Sequence, residues 1–225
     1  MKREEIISAA AKALAGAARG HTVRAAVDGI ACAGKTIFAD ELSEYLEKKG
    51  RKVIRASIDG FHNPAAIRHK TGKECPEGYY RNSFNHDALI KELLEPLGPG
   101  GSGKYRTEIF DCKTGENINS SFQSAGADEI LIFDGIFLLR RELAGQWDYT
   151  IRLEADCGVV VERAAIRDKE KFGGGKNARE KFLKRFIPGQ KLYEKEIKPA
   201  ESADMTIDNT FPLEPVIVRQ RNKPF

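Results

Sequence analysis

An α/β fold, with a mostly parallel sheet covered by helices on both faces, follows from three features of the sequence. Apolar strand-like runs alternate with amphipathic helical runs along most of the 225 residues, the pattern that joins parallel strands through helical crossovers. A glycine loop with the spacing G-x-x-x-x-G-K-T, formed by Gly29, Gly34, Lys35 and Thr36, falls between the first strand and the next helix. Three strand-like runs close on an aspartate, at Asp28, Asp59 and Asp134, and sheets of this kind gather ligands at the carboxyl ends of their strands.

The elements follow in chain order. MKREEIISAAAKALAGAARG, residues 1–20, reads as an amphipathic surface helix. Glu4 and Glu5 set it apart from a transit peptide, and it lacks the dense apolar centre of a secretory signal. Val23 to Val27 is a largely apolar strand leading into the glycine loop, after which Phe38, Leu42, Tyr45 and Leu46 share one helical face. Gly50 stops that helix. KVIRASID predicts a second strand ending at Asp59, and DALIKELLEPL, from Asp87, a short amphipathic helix. After the low-complexity GPGGSGK, the run KYRTEIFDCKTGENINSSF predicts a hairpin turning near Thr114-Gly115. EILIFDGIFLL and YTIRLEA are two further strands, and CGVVVERAAIRDKEKF is a helix that the glycines at 173–175 break. A second charged helix runs to about Lys195, and ADMTIDN supplies a last short strand. The length suits one domain with a lid rather than two full domains.

Composition narrows the classes of function. Hydrophobic residues make up 41% of the chain, enough for a core, and no apolar run approaches the roughly 18 residues needed to span a bilayer. The four cysteines, Cys32, Cys75, Cys112 and Cys157, form no C-x-x-C pair. That usage suits a reducing cytoplasm and argues against a disulfide framework or a zinc site. His21, His69 and His86 show no metal-ligand spacing. A net charge of +4, without a basic arm interleaved with aromatics, points away from nucleic acid and toward a small anionic ligand. No membrane partner is expected, and a homo-oligomer stays open.

The loop supplies the chemistry. A row of backbone N–H groups ending at a helix N-terminus wraps an anion; Gly29 and Gly34 are expected to adopt backbone angles that side chains resist. Lys35 then reaches the outer phosphates, and the Thr36 hydroxyl holds a magnesium ion. Phosphoryl transfer also needs an aligned acceptor, for which Asp59 in SIDGFHNP is the candidate base. Asp134, after ILIF, fits the acidic residue that holds magnesium through water. Arg163 and Arg167, four apart in ERAAIRD, share a helical face and can converge on one polyphosphate, with the glycine break behind them marking a lid. His62 reads equally as a substrate contact and as an exposed loop histidine, and Cys32 as a small loop filler.

DGIACAGKT, SIDGFH, ILIFDGIFLL, ERAAIRD and the closing Pro199, Ala203, Asp204 and Ile207 to Asn209 together resemble the uridine kinase family, within the group that includes phosphoribulokinase and pantothenate kinase. The resemblance spans about Val23 to Asn209. It implies one P-loop NTPase-type kinase domain over 1–225, with a five-stranded parallel sheet and helices on both faces. It also implies a substrate-side β-hairpin over 98–123 and a small helical lid over 163–195. ATP and Mg2+ are the implied co-substrate and cofactor, and a ribose hydroxyl the implied acceptor. The ATP site would then be Gly29, Ile30, Ala31, Cys32, Ala33, Gly34, Lys35, Thr36 and Ile37, with Thr36 and Asp134 on the metal. Asp59 matches the family's catalytic aspartate, and Lys35, Arg163 and Arg167 are the cations expected to act with it. Phe61 and His62 match the substrate-side aromatic pair, Phe84 the phenylalanine of the family's F-D-H-P segment, and Tyr105 the tyrosine that starts its hairpin. Asn85 stands where the family has an aspartate on the ribose diol, and the hairpin histidine near the pyrimidine is missing. Arg81 and Arg106 are extra cations that suit an acceptor carrying phosphate or carboxylate, or else pair with Glu77 or Glu108. The expected function is therefore an ATP-dependent kinase of a nucleoside such as uridine or cytidine, the alternative being pantothenate, a sugar or a phosphosugar. A guanine-reading switch would carry N-K-x-D, which this sequence lacks.

Overall fold

The computed structural model describes residues 2–17 and 20–221; positions 1, 18 and 19 of the expected N-terminal helix lie outside the described residues. Six strands make the main sheet: β1 (Val23–Gly29), β2 (Val53–Ser57), β3 (Ile130–Gly135), β4 (Tyr149–Glu154), β5 (Met205–Asp208) and β6 (Val216–Gln220). Their order is β6-β5-β4-β1-β3-β2. The first five run parallel, as the sequence predicts. The sixth is antiparallel to β5, with a bulge between Ile217 and Arg219, and was not anticipated. Its exposed Val216 and Val218 mark an edge strand with only one neighbour, so its apolar run lacks the buried pattern of the central strands.

The central strands are buried on both faces, and their alternation feeds two cores. Ala25, Val27, Ile130 and Ile132 pack with helices α1 (Arg3–Gly16) and α2 (Lys35–Lys48) through Ile6, Leu14, Phe38 and Leu42. Ala26, Leu131 and Phe133 face the other way, onto Phe61, Tyr79, Leu93 and Tyr193. Tyr79 lies in α3 (Pro76–Asn82) and Tyr193 in α6 (Ile187–Ile197). Gly189 lets α6 approach α3 closely: a Cβ there would sit 2.7 Å from the Tyr79 ring.

Several boundaries move. β2 ends at Ser57, and Ile58–Phe61 is a 3-10 turn, so Asp59 lies beyond the strand rather than closing it. The helix after β4, α4 (Cys157–Arg167), is capped by Asp156, whose carboxylate accepts from the amides of Gly158 and Val159. It stops five residues before the expected Phe172, where turns lead to Gly173 and Gly174 at positive φ. From α5 (Gly175–Lys181) the chain runs through a π turn (Phe182–Phe186) into α6. Between β2 and β3, two short antiparallel ladders join Lys104–Tyr105 to Gln123–Ser124 and Phe110–Asp111 to Glu116–Asn117. They reverse at Gly115, φ +79°. This hairpin lies on the Asp59 turn, the Ile109 amide donating to the Gly60 carbonyl at 2.9 Å.

Candidate active site

The glycine loop leaves β1 at the middle of the sheet and enters α2. Gly34 takes φ +95° at the helix N-terminus, as the spacing predicts, but Gly29 does not. It is required for space instead: a Cβ would lie 2.4 Å from the Leu153 carbonyl oxygen of β4. The second left-handed residue is Cys32, φ +64°, an uncommon conformation for a side-chain-bearing residue. Burial raises its thiol pKa, and the cations Arg167, Lys35 and Arg163 oppose that rise.

Lys35 is buried, and its ammonium donates to the Ile30 carbonyl at 2.9 Å, bridging the loop's own concavity. Burial lowers its pKa, while Asp134, Asp28 and Asp59 push it back up. The Thr36 hydroxyl donates to Asp134 Oδ2 at 2.7 Å. Two hard oxygen donors thus meet at the loop's end, a set that suits Mg2+. The other Asp134 oxygen is held by Arg55 Nη2 at 2.9 Å, and Arg55 also binds Asp40. Nothing in the pattern of β2 singled out Arg55. Asp28, by contrast, is taken out of the chemistry. Its carboxylate is fully buried and accepts from Arg152 at 2.8 Å, Tyr193 at 3.0 Å and the Leu138 amide at 3.0 Å. That network fastens α6 to the sheet.

Asp59 is open, its side chain 78% exposed. Its negative charge bears on Lys35, Arg167 and Tyr79, although Asp59 is not among the residues that line the cavity at the loop. His62 is not an exposed loop residue. Its ring lies 4.6 Å from that of Phe84, and Nδ1 is 2.9 Å from the Asp59 carbonyl. Burial keeps its pKa below the usual histidine value, so the neutral ring donates from Nδ1 and steadies the Asp59 turn.

The arginines of α4 divide in role. Arg163 donates to three backbone carbonyls, of Cys32 at 3.3 Å, Asn209 at 3.2 Å and Thr210 at 2.8 Å, tying the loop to the end of β5. Arg167 forms a two-pronged pair with Asp168 at 2.9 and 2.8 Å. Both line a cavity of about 530 Å3 together with Cys32, Gly34, Lys35 and Thr36. Ile37, next in the loop, is exposed at the same cavity, whereas Ala33 is core and Ile30 and Ala31 pack toward α4. Arg3, Glu41, Asn209, Pro212 and Leu213 complete the wall and were missed. Asn209 Nδ2 donates to the Ala33 carbonyl at 2.7 Å, and its Oδ1 accepts from Arg3 at 3.2 Å.

The remaining acceptor-side candidates scatter. Phe61 and Phe84 are core residues, and Tyr105 is buried with its hydroxyl on Gln123 at 3.1 Å. Asn85 caps the following helix, accepting from the Ala88 amide at 3.0 Å. Arg81 pairs with Glu77 and Glu196. Arg106 lies over the Phe122 ring at 4.0 Å, bonds Asn119 and pairs with Glu92 rather than Glu108. Among the described residues no helix is long and apolar enough to cross a membrane, and no cluster of three or more His, Cys, Asp or Glu could hold a metal by itself.

No protein-family model and no curated protein matches the sequence. Solved structures do match the fold. A possible uridine kinase from Bacillus stearothermophilus superimposes with a TM-score of 0.70 at 20% identity, covering 90% of this chain and 97% of that one. D-glycerate 3-kinase from Cryptococcus neoformans gives a TM-score of 0.61 at 14% identity, covering 94% and 99%. The chain therefore has the α/β fold of uridine kinase-like and related P-loop kinases, with a central, mostly parallel sheet.

Proposed function

We propose that this protein is an ATP-dependent kinase that transfers a phosphoryl group to a hydroxyl of a small metabolite. The observation that carries the reading is the pairing of Thr36 with Asp134 at 2.7 Å beside the buried Lys35, a lysine on which the charge of the exposed Asp59 carboxylate also bears. ATP with Mg2+ would supply the transferable γ-phosphoryl group and the charge neutralisation on it. Thr36 and Asp134 would hold the metal, Asp134 through water, and the loop amides from Gly29 to Thr36 the phosphates. Lys35 and Arg167 place positive charge where negative charge develops in transfer. Asp59 orients the acceptor hydroxyl and takes the proton it loses. Arg163, Asn209 and Pro212 shape the nucleotide end of the cavity.

The names of the structural neighbours, a uridine kinase and a glycerate kinase, support a hydroxylated acceptor without agreeing on which. For a nucleoside acceptor the resemblance offers Phe61, His62, Phe84 and Tyr105, with Asn85 in the place of the family's aspartate on the ribose diol. Phe61, Phe84 and Tyr105 are buried, and the carboxamide oxygen of Asn85 is engaged as a helix cap. That observation favours the alternative, a different small hydroxylated metabolite. A coupled assay of ADP release across nucleosides, pantothenate, sugars and phosphosugars tests both levels. Release that depends strongly on one acceptor is the expected result; slow release indifferent to every acceptor marks a nucleotide-hydrolysing switch instead.

A further inference from the structure

A second cavity, of about 450 Å3, shares no lining residue with the one at the glycine loop. It lies between α6 and the carboxyl ends of β4 and β5, with Ile30 and Val218 of the edge strand also in its wall. No step of the proposed phosphoryl transfer uses it. Gln190 of α6 lines this cavity, is 1% exposed and, among the described residues, has no hydrogen-bond partner at either end of its carboxamide. Arg152 lines it too, and its buried Nε is likewise without a partner. A buried amide left unmade costs its full desolvation. Three such atoms beside one cavity therefore point to a polar occupant.

The charge of the wall says what that occupant carries. Arg152 lies near three carboxylates, Asp28 at 2.8 Å, Glu194 at 3.2 Å and Glu154 at 3.9 Å, so it is surrounded by more negative charge than it bears. Asp156 and Asp208 add two more, both beside Thr210. The Asp156 amide donates to the Thr210 hydroxyl at 2.9 Å, and the Thr210 amide donates to Asp208 Oδ1 at 2.8 Å. Against the lining carboxylates of Glu154, Asp156, Glu194 and Asp208 stand only Arg152 and the exposed Lys191. Such a wall repels anions and draws cations. The chain as a whole is net positive, at +4, so the attraction belongs to this cavity and not to the surface at large. Among the described residues no three acidic, histidine or cysteine side chains are placed to hold a metal ion. An organic cation fits instead, and Ile30, Ala155, Ile187 and Val218 give it apolar surface to lie on.

We propose that this second cavity binds a small organic ammonium ion that also carries a carboxamide. Gln190 and Glu194 both line it and stand four apart on α6, which puts them one turn from each other on the same helical face. The carboxamide of the ligand pairs edge to edge with that of Gln190, its N–H donating to Oε1 and its carbonyl oxygen accepting from Nε2. Arg152 Nε is a further donor in the same wall. The ammonium group meets Glu194 and Glu154, charge-assisted bonds that are stronger than those of the amide. Phosphate groups are drawn instead to the other cavity, where Lys35, Arg163 and Arg167 lie.

The test titrates matched probes into the full chain by ligand-observed NMR: β-alaninamide, which has both groups, propionamide, which lacks the charge, and propylamine, which lacks the amide. β-Alaninamide should bind roughly tenfold or more tighter than either half. Gln190→Leu should bring its Kd to that of propylamine, and Glu194→Gln should bring it to that of propionamide. A saturating non-hydrolysable MgATP analogue should leave the binding in place, because the two cavities share no lining residue. The proposal is overturned if no probe binds, if propylamine binds as tightly as β-alaninamide, or if Gln190→Leu changes nothing. Displacement by the nucleotide analogue also overturns it, by placing the probe at the loop. Thermal melting checks that the variants fold, with Gln190→Met and Glu154→Gln as the replacements for any that does not. The readout is binding alone, so its failure leaves the kinase reading untouched.

Discussion

Single side chains at this site owe their roles to what surrounds them. Asp59 follows a strand that ends early, in a turn braced by His62 and by the hairpin at Gly60. Asp59→Asn keeps the shape and removes the carboxylate proposed as the base, so turnover should fall by roughly 10²-fold. Affinity for ATP should hardly change, because the loop and Arg163 are untouched; steady-state kinetics in both substrates checks this. His86 makes a different case. Burial, aided by Arg140 and opposed by Glu142 and Asp87, lowers its pKa to about 4. The folded state therefore keeps a neutral ring while the unfolded chain takes up a proton near pH 6.5. Stability from this group is complete above pH 6.5 and is lost as the pH falls toward 4, on the order of 3 kcal/mol in all. Denaturant unfolding of the parent and of His86→Gln should converge over that interval. Parallel pH curves would remove His86 as the cause.

Among the elements, α4 and the helical run after it do most to shape the site. The spacing of Arg163 and Arg167 on one helical face was legible, but the difference between them was not. Arg163 is fixed on carbonyls of two other segments, whereas Arg167, among the described residues, bonds the adjacent Asp168. Arg163→Ala should therefore raise the KM for ATP by loosening the loop. Arg167→Ala should lower kcat by roughly tenfold or more with little change in that KM, as expected for charge that acts in the transition state. Identical effects of the two substitutions on both constants would show that the contacts of Arg163 are incidental. Further along the chain, α6 is anchored through Tyr193 to the buried Asp28, which Arg152 also holds. The π turn that leads into α6 is thus attached at its far end to the central sheet.

In the whole molecule, binding and stability should be linked through one cavity. Anything that binds only the folded state stabilises it, by about 2.7 kcal/mol at a ligand concentration one hundred times its Kd. MgATP should raise the Tm of the parent, and Lys35→Ala should lose most of that rise; an undiminished shift would place the nucleotide elsewhere. What the sequence determined by itself is local. The glycine spacing, the helix periodicity after it and the apolar runs are set by backbone sterics and by side chains within one or two turns, so they are visible in a window of neighbours. The five parallel strands, Gly34, Lys35 and Thr36 belong to that class. The tertiary structure alone decided which charges meet. Asp134 joins Thr36 and Arg55 across 98 and 79 residues, Asp28 is claimed by Arg152 across 124, and Asn209 closes on Ala33 across 176. Asp28, Asp59 and Asp134 look alike in sequence as strand-ending aspartates. Burial and partners brought from distant segments make the first a structural ion pair, leave the second open to a ligand and put the third beside the Thr36 hydroxyl. Those partners depend on how the sheet is ordered, which no local pattern encodes.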